Sequence, residues 1–181
     1  MKYFLFSILF ALTSCGHSVA PDDTDGSDRP TETTIFLVRH AEKETGQNPP
    51  LTEAGNQRAN DLADRLKEDN ITEIFSTDYR RTQLTAQPTA VQFNRGVGSY
   101  NPKNLKNFAK KLKNRANGNI LVVGHSNTTP ELVELLGGEP GTPIVEAWEY
   151  DRLYKLILKK GKLVSSELLR YGVSSKETSD F

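Results

Sequence analysis

Two apolar runs in this chain stop abruptly at a histidine, and that repeated design constrains the fold more than any other feature. In the first, Ile35-Phe36-Leu37-Val38 gives way to Arg39-His40-Ala41-Glu42-Lys43. In the second, Ile120-Leu121-Val122-Val123 leads through Gly124 to His125-Ser126-Asn127. Four consecutive apolar residues without polar alternation predict strands covered on both faces, as in an α/β sheet. Ligands of such sheets bind beyond the carboxyl ends of the strands, which is where both histidines fall.

The intervening chain supplies the helices such a sheet needs. After a polar loop from Glu42 to Pro50, Thr52 reads as a cap, and Ala59, Leu62, Ala63 and Leu66 recur at spacings of three and four. A second strand, Ile71 to Phe75, ends in Ser76-Thr77-Asp78, which reads as the cap of a helix carrying Arg80 and Arg81 in its first turn. That helix is expected to run through Ala86 and to break or kink at Pro88. Gly96 to Tyr100 fits a short strand, and Asn101-Pro102 the start of a lysine-rich helix with Leu105, Phe108, Ala109 and Leu112 inward. The lysines, Lys103 among them, read as a solvated face. After His125, Thr128 or Thr129 caps a helix with Pro130 in its first position, ended by Gly137-Gly138. Glu146 to Leu158 and Lys162 to Tyr171 read as an antiparallel hairpin turning at Lys159 to Lys162. The expected fold is a three-layer α/β/α domain with a mostly parallel central sheet, spanning residues 34–172, with a polar tail at 173–181 that frays.

The amino terminus reads differently. Lys2 followed by the apolar stretch Tyr3 to Leu12 has the form of a signal peptide, too short to span a bilayer. Leu12-Thr13-Ser14-Cys15 resembles the lipobox of bacterial lipoproteins, so residues 1–14 are expected to be removed and Cys15, the only cysteine, to carry lipid. Cleavage after Ser18-Val19-Ala20 is the alternative. Residues 15–33, poor in apolar side chains, read as a tether. The chain is accordingly expected in the bacterial envelope, held to a membrane through Cys15. The 23 basic and 23 acidic side chains balance, and losing Lys2 with the leader leaves −1, so no general charge argues for nucleic acid.

Of three histidines, His17 lies in the tether, which leaves His40 and His125 for a shared site. Arg39 adds a fixed cation beside His40. Arginines at the start of the helix after the second strand oppose the helix dipole unless an anion binds there. The planar fork of arginine suits phosphate. A metal is disfavoured, because the arginines repel a cation and no third ligand arrives at zinc spacing.

Leu37 to Lys43, Leu51 to Gly55, Ser76 to Ala86 and Gly124 to Asn127 together resemble the histidine phosphatase superfamily, the phosphoglycerate mutase-like proteins, across essentially the whole domain. The resemblance implies that His40 is the nucleophile that becomes a phosphohistidine and that Arg39 holds the phosphate. A pattern like Ser-x-x-x-x-Arg-x-x-x-Thr-Ala, laid on Ser76, Thr85 and Ala86, selects Arg81. His125 would contact the phosphoryl oxygens. No cofactor is implied, and the partner is a small phosphorylated substrate. The departure lies in the general acid: Ser126 follows His125, and Thr89 to Tyr100 holds no acid. Glu42, Glu44 and Asp78 are conceivable substitutes, although loop solvation explains the first two and capping explains Asp78. Such a site resembles the small phosphohistidine phosphatases more than the mutases. The expected function is a metal-independent phosphatase acting on an exported phosphate compound. An envelope sugar-phosphate phosphatase and a phosphate-binding module without turnover are the alternatives. The loops Glu42 to Pro50, Phe93 to Asn101 and Glu139 to Ile144 are expected to shape the pocket.

Overall fold

Why an uninterrupted apolar run must be a central strand is plain from where its side chains go. In the computed structural model, which describes residues 32–175, Ile35 and Leu37 pack into one core while Phe36 and Val38 pack into another on the opposite face of the sheet. The six strands are β1 (Glu32–Arg39), β2 (Ile71–Ser76), β3 (Val97–Ser99), β4 (Gly118–Gly124), β5 (Arg152–Lys159) and β6 (Lys162–Arg170), in the order β3-β2-β4-β1-β5-β6. The pairs β3/β2, β2/β4 and β4/β1 are parallel, and β1/β5 and β5/β6 are antiparallel.

The four helices are α1 (Glu53–Arg65), α2 (Arg80–Gln92), α3 (Leu105–Lys113) and α4 (Thr128–Leu136). Leu62 of α1 and Ala86 and Ala90 of α2 cover the Phe36 face. Phe108 and Leu112 of α3 with Leu132 and Leu136 of α4 cover the Ile35 face. The result is the expected three-layer α/β domain. Because α1 and α4 leave the neighbouring strands β1 and β4 toward opposite faces, a crevice opens at the carboxyl ends of those two strands, the usual ligand position in this architecture.

Several boundaries differ from expectation, each for a tertiary reason. The domain begins earlier than residue 34: Glu32 and Thr33 belong to β1, and the Thr33 hydroxyl donates to Arg115 O at 3.1 Å. The helix after β2 is not capped by Ser76, Thr77 or Asp78. Tyr79 is its cap residue and makes no side-chain cap bond, because the Thr77 hydroxyl is drawn inward to the site. Nor does that helix stop at Pro88. It continues to Gln92, because Ala86, Thr89 and Ala90 are buried against the sheet and that packing outweighs one missing backbone bond.

The lysine-rich helix starts at Leu105 rather than at Asn101-Pro102, where Asn101 Oδ1 accepts from Lys103 N in a separate turn. In α4, Asn127 is the cap residue and Pro130 occupies the third position, still within the turn whose N–H groups lack helical partners. The strand predicted from Glu146 begins only at Arg152. Residues after Tyr171 do not all fray: Val173 O accepts from Arg58, and Ser175 N donates to Asp151 Oδ2 at 3.0 Å. The expected signal peptide, Cys15 and most of the expected tether, like the last six residues, lie outside the described residues.

The opening of α1 follows its sequence closely. Thr52 Oγ1 accepts from Gly55 N at 3.1 Å, and Thr52 N donates to Glu42 O at 3.0 Å. A Cβ on Gly55 would lie 2.0 Å from Glu42 O, so only glycine lets the helix start against the segment that follows His40. Arg58, buried one turn further on, grips both Glu42 carboxylate oxygens through Nε at 2.9 Å and donates to Tyr171 O and Val173 O.

Candidate active site

The register of the central pair brings the two histidines together. Arg39 pairs with Gly124 across the β1/β4 ladder, and His40 N extends the ladder by donating to Gly124 O at 2.9 Å. The residues that follow, His40 and His125, therefore leave adjacent strands side by side, with ring centroids 5.6 Å apart and planes at 69°. Gly124 permits the second turn: a Cβ there would lie 2.8 Å from both Thr129 Oγ1 and Tyr100 Oη.

Each ring has its tautomer fixed by neighbours that can act in only one sense. His40 Nδ1 lies 2.8 Å from Ala41 O, and a carbonyl can only accept, so Nδ1 carries the proton and Nε2 keeps its lone pair. Arg81 Nη2, which can only donate, lies 3.3 Å from His125 Nδ1. His125 Nε2–H therefore donates to Thr77 Oγ1 at 2.9 Å, whose own proton passes to Thr82 Oγ1 at 3.0 Å, while Thr82 donates to the carbonyls of Thr77 and Tyr79. This network satisfies the buried Thr77 and Thr82 hydroxyls and the half-buried His125 ring together.

Both imidazoles are held neutral. Burial pulls His40 from an ordinary 6.5 down to about 3, against the Ala41 carbonyl, which favours the cation; Arg39, Arg81 and His125 lower it further. His125 is drawn down to about 4, again first by burial and then by Arg81 and Arg39. The neighbouring arginines are secondary to desolvation.

The two arginines play different parts. Arg39 is 1% exposed, beneath the pocket rather than on its wall. Its Nη1 donates to Glu149 O at 3.0 Å and Val145 O at 3.4 Å, its Nη2 to Glu146 O at 2.7 Å, and its guanidinium stacks 4.0 Å from the Tyr150 ring centroid. This explains why residues 145–149 form a turn and not the predicted strand. Arg81 lies in the pocket wall, with its guanidinium 4.5 Å from the Tyr79 ring centroid. In both arginines Nε is buried without a partner among the described residues. Those orphaned donors suit an anion at this place.

The cavity over the histidines measures about 490 Å³ and is lined by His40, Tyr79, Arg81, Pro102, Lys103, His125, Ser126, Asn127, Thr128 and Glu146. Its walls come from the starts of α2 and α4, the turn before α3 and the turn clamped by Arg39. The three loops expected to shape it, Glu42 to Pro50, Phe93 to Asn101 and Glu139 to Ile144, contribute none of these residues. Of the acids weighed from sequence, Glu42 is bound to Arg58, Asp78 accepts from Gln83 at 3.0 Å, and Glu44 is exposed away from the cavity.

Sequence reasoning missed Glu146, Thr77, Thr85 and the pocket role of Lys103. Thr85 Oγ1 accepts from Ala41 N at 3.0 Å and donates to Arg81 O at 2.7 Å, tying the segment that follows His40 to α2. Only the Thr-Ala pair of the α2 motif hinted at it. Among the described residues no three His, Cys, Asp or Glu side chains converge in a way that would hold a metal ion.

The fold and the paired histidines define a phosphoglycerate mutase-like α/β domain with a cationic pocket at its switch point. The model of the Histidine phosphatase superfamily (branch 1) matches residues 35–99. Over 61 residues the chain is 41% identical to a curated protein of Photorhabdus laumondii subsp. laumondii named "Probable phosphoglycerate mutase GpmB", a match covering 29% of this chain and 28% of that protein. The chain thus spans little more than a quarter of that relative's length. Among solved structures, the protein histidine phosphatase SixA complexed with tungstate superposes with a TM-score of 0.60 at 17% identity, over 78% of this chain and 96% of the other. A phosphoserine phosphatase of Entamoeba histolytica, in complex with 3-phosphoglyceric acid, gives 0.58 at 19% identity over 78% and 98%. The family match therefore rests on residues 35–99, and the solved structures share the fold of the domain.

Proposed function

We propose that this chain is a metal-independent phosphatase that hydrolyses small phosphorylated compounds through a phosphohistidine on His40. One observation carries the reading: His40 Nδ1–H is committed to Ala41 O, so the unprotonated Nε2 is the nitrogen left to attack, and it stands beside Arg81 and His125. In-line attack forms an Nε2–P bond and breaks the bond from phosphorus to the leaving group, which departs with the electron pair and takes a proton from water. The ring is then cationic, and the Ala41 carbonyl stabilises that charge. Arg81 and His125 offset charge on the phosphoryl oxygens, and the buried Arg39 adds a fixed positive field from below. Water next attacks phosphorus, breaks the Nε2–P bond and releases phosphate.

The relatives support the class of substrate, since proteins named phosphoserine phosphatase, protein histidine phosphatase and phosphoglycerate mutase all handle phosphoryl groups on small molecules or side chains. The acids weighed from sequence are engaged elsewhere or exposed away from the cavity, which favours good leaving groups such as acyl phosphates and phosphoramidates. We further place the substrate in the bacterial envelope, on the strength of the signal-like start and Cys15.

Incubation with a labelled phosphoryl donor and acid-free trapping is expected to label the wild-type chain and not His40→Ala. Equal labelling of both would refute the nucleophile. For location, Cys15→Ser is expected to move the chain from the membrane to the soluble fraction, and unchanged membrane association would refute lipid anchoring.

A further inference from the structure

Glu146 is the only carboxylate among the residues lining a cavity otherwise furnished with Arg81, Lys103, neutral histidines and hydroxyl or amide groups. A negative charge there opposes binding of a phosphate dianion, so its position calls for a physical reason. Nor is it a side chain on a loose loop. Its backbone carbonyl accepts from Arg39 Nη2 at 2.7 Å, the flanking carbonyls of Val145 and Glu149 accept from Nη1, and Val145 N donates to Glu149 Oε2 at 3.1 Å. Glu149 is itself buried and held by Arg152 at 2.7 Å. The turn that presents Glu146 to the cavity is thus anchored from beneath by two arginines.

The carboxylate of Glu146 has no hydrogen bond or ion pair among the described residues, in contrast to Glu42, Glu149 and Asp151, which are all paired. A proton-donating role does not suit the surroundings. Carboxylic acids that protonate leaving groups near neutrality sit in apolar burial or beside another carboxylate. Glu146 is exposed, and the charged groups about it, Arg39 beneath and Arg81 and Lys103 along the same cavity, are cations.

We propose that Glu146 is a specificity residue that receives a cationic group, an ammonium or guanidinium, carried by the substrate a few bonds from its phosphorus. This rests on the phosphoryl pocket proposed above and names the substrate class within it: phosphorylated amines rather than neutral or purely anionic phosphate compounds. The cation offsets the repulsion Glu146 exerts on the phosphate, so the charge that weakens binding of a simple phosphate selects for the zwitterion.

The experiment compares O-phosphoethanolamine with n-propyl phosphate, which has the same chain length without the charge. Calorimetric binding to the purified full chain carrying His40→Ala reads affinity without turnover. The amine is expected to bind about fivefold tighter, the upper end of what an exposed ion pair gives. Adding Glu146→Gln should bring the ratio to about one, and Glu146→Lys should invert it. Equal binding of the two compounds, a ratio that survives Glu146→Gln, or failure of both to bind would each overturn the proposal. Phosphoryl trapping on the wild-type chain is independent of this ratio, so a catalytic failure and a specificity failure are told apart.

Discussion

Acidification should weaken this fold through His40 by an amount that can be isolated. His40 is 3% exposed and held neutral, with a pKa near 3 against 6.5 for a free imidazole. Between those values the unfolded chain binds a proton that the folded chain refuses. The stability associated with neutral His40 is therefore complete above pH 6.5 and is lost as pH falls toward 3. At about pH 4.5 an ordinary imidazole is about 99% protonated while the folded His40 remains almost wholly neutral, a difference of about 3 kcal/mol.

Other groups also titrate in acid, so the comparison must be between variants. Urea unfolding followed by Trp148 fluorescence, at about pH 8 and about pH 4.5, would be measured for the wild type and His40→Asn. The variant's stability should fall less between the two pH values, by about 2 to 3 kcal/mol. Its constant offset, from the lost Ala41 bond and altered packing, cancels in the difference. Parallel pH dependences for the two proteins would refute a buried neutral His40, and with it the reason for treating Nε2 as a standing nucleophile.

The ion pair behind the segment that follows His40 gives a second test. Arg58→Met removes a bidentate grip on Glu42 and two bonds to carbonyls near the chain end. It should cost about 3 kcal/mol and shift the urea midpoint by about 1 to 2 M. In a double-mutant cycle with Glu42→Gln, the coupling should be about 1 kcal/mol or more, and strict additivity would show that the pair contributes nothing. Gly124→Ala places a Cβ 2.8 Å from Tyr100 Oη and Thr129 Oγ1 and 3.1 Å from Thr128 Oγ1, which accepts from His125 N. A stability loss of about 1 to 3 kcal/mol is expected, together with a fall in phosphoryl trapping at temperatures where the variant is folded. Retention of full trapping would mean that His125 does not depend on this turn.

The elements whose partners lie within a few residues were legible in the sequence. Thr52 capping Gly55 N, the left-handed Gly137 ending α4 and the Lys160-Gly161 hairpin turn are local chemistry, and each is found where expected. The elements that moved are those whose polar groups answer to distant parts of the chain. Thr77 faces His125, 48 residues away, instead of capping its own helix. Pro88 sits inside α2 because the buried Thr89 and Ala90 hold the helix onto the sheet. The 145–149 turn bends because Arg39, more than a hundred residues earlier, draws its carbonyls inward.

By itself, then, the sequence determined that two doubly covered strands end in histidines, and that arginines accompany them. Burial of apolar runs on both faces and the rule that ligands meet strand ends suffice for that much. Only the tertiary structure decided what those groups present. It lays Arg39 against Gly124 across a parallel ladder so that His40 and His125 emerge together, turns the Arg39 guanidinium onto carbonyls beneath the pocket, and raises Glu146 beside the cavity. These outcomes depend on register and on satisfying buried donors across the sheet. Spacing along a chain does not encode which strand lies beside which, and hydrogen-bond partners are fixed only when it does.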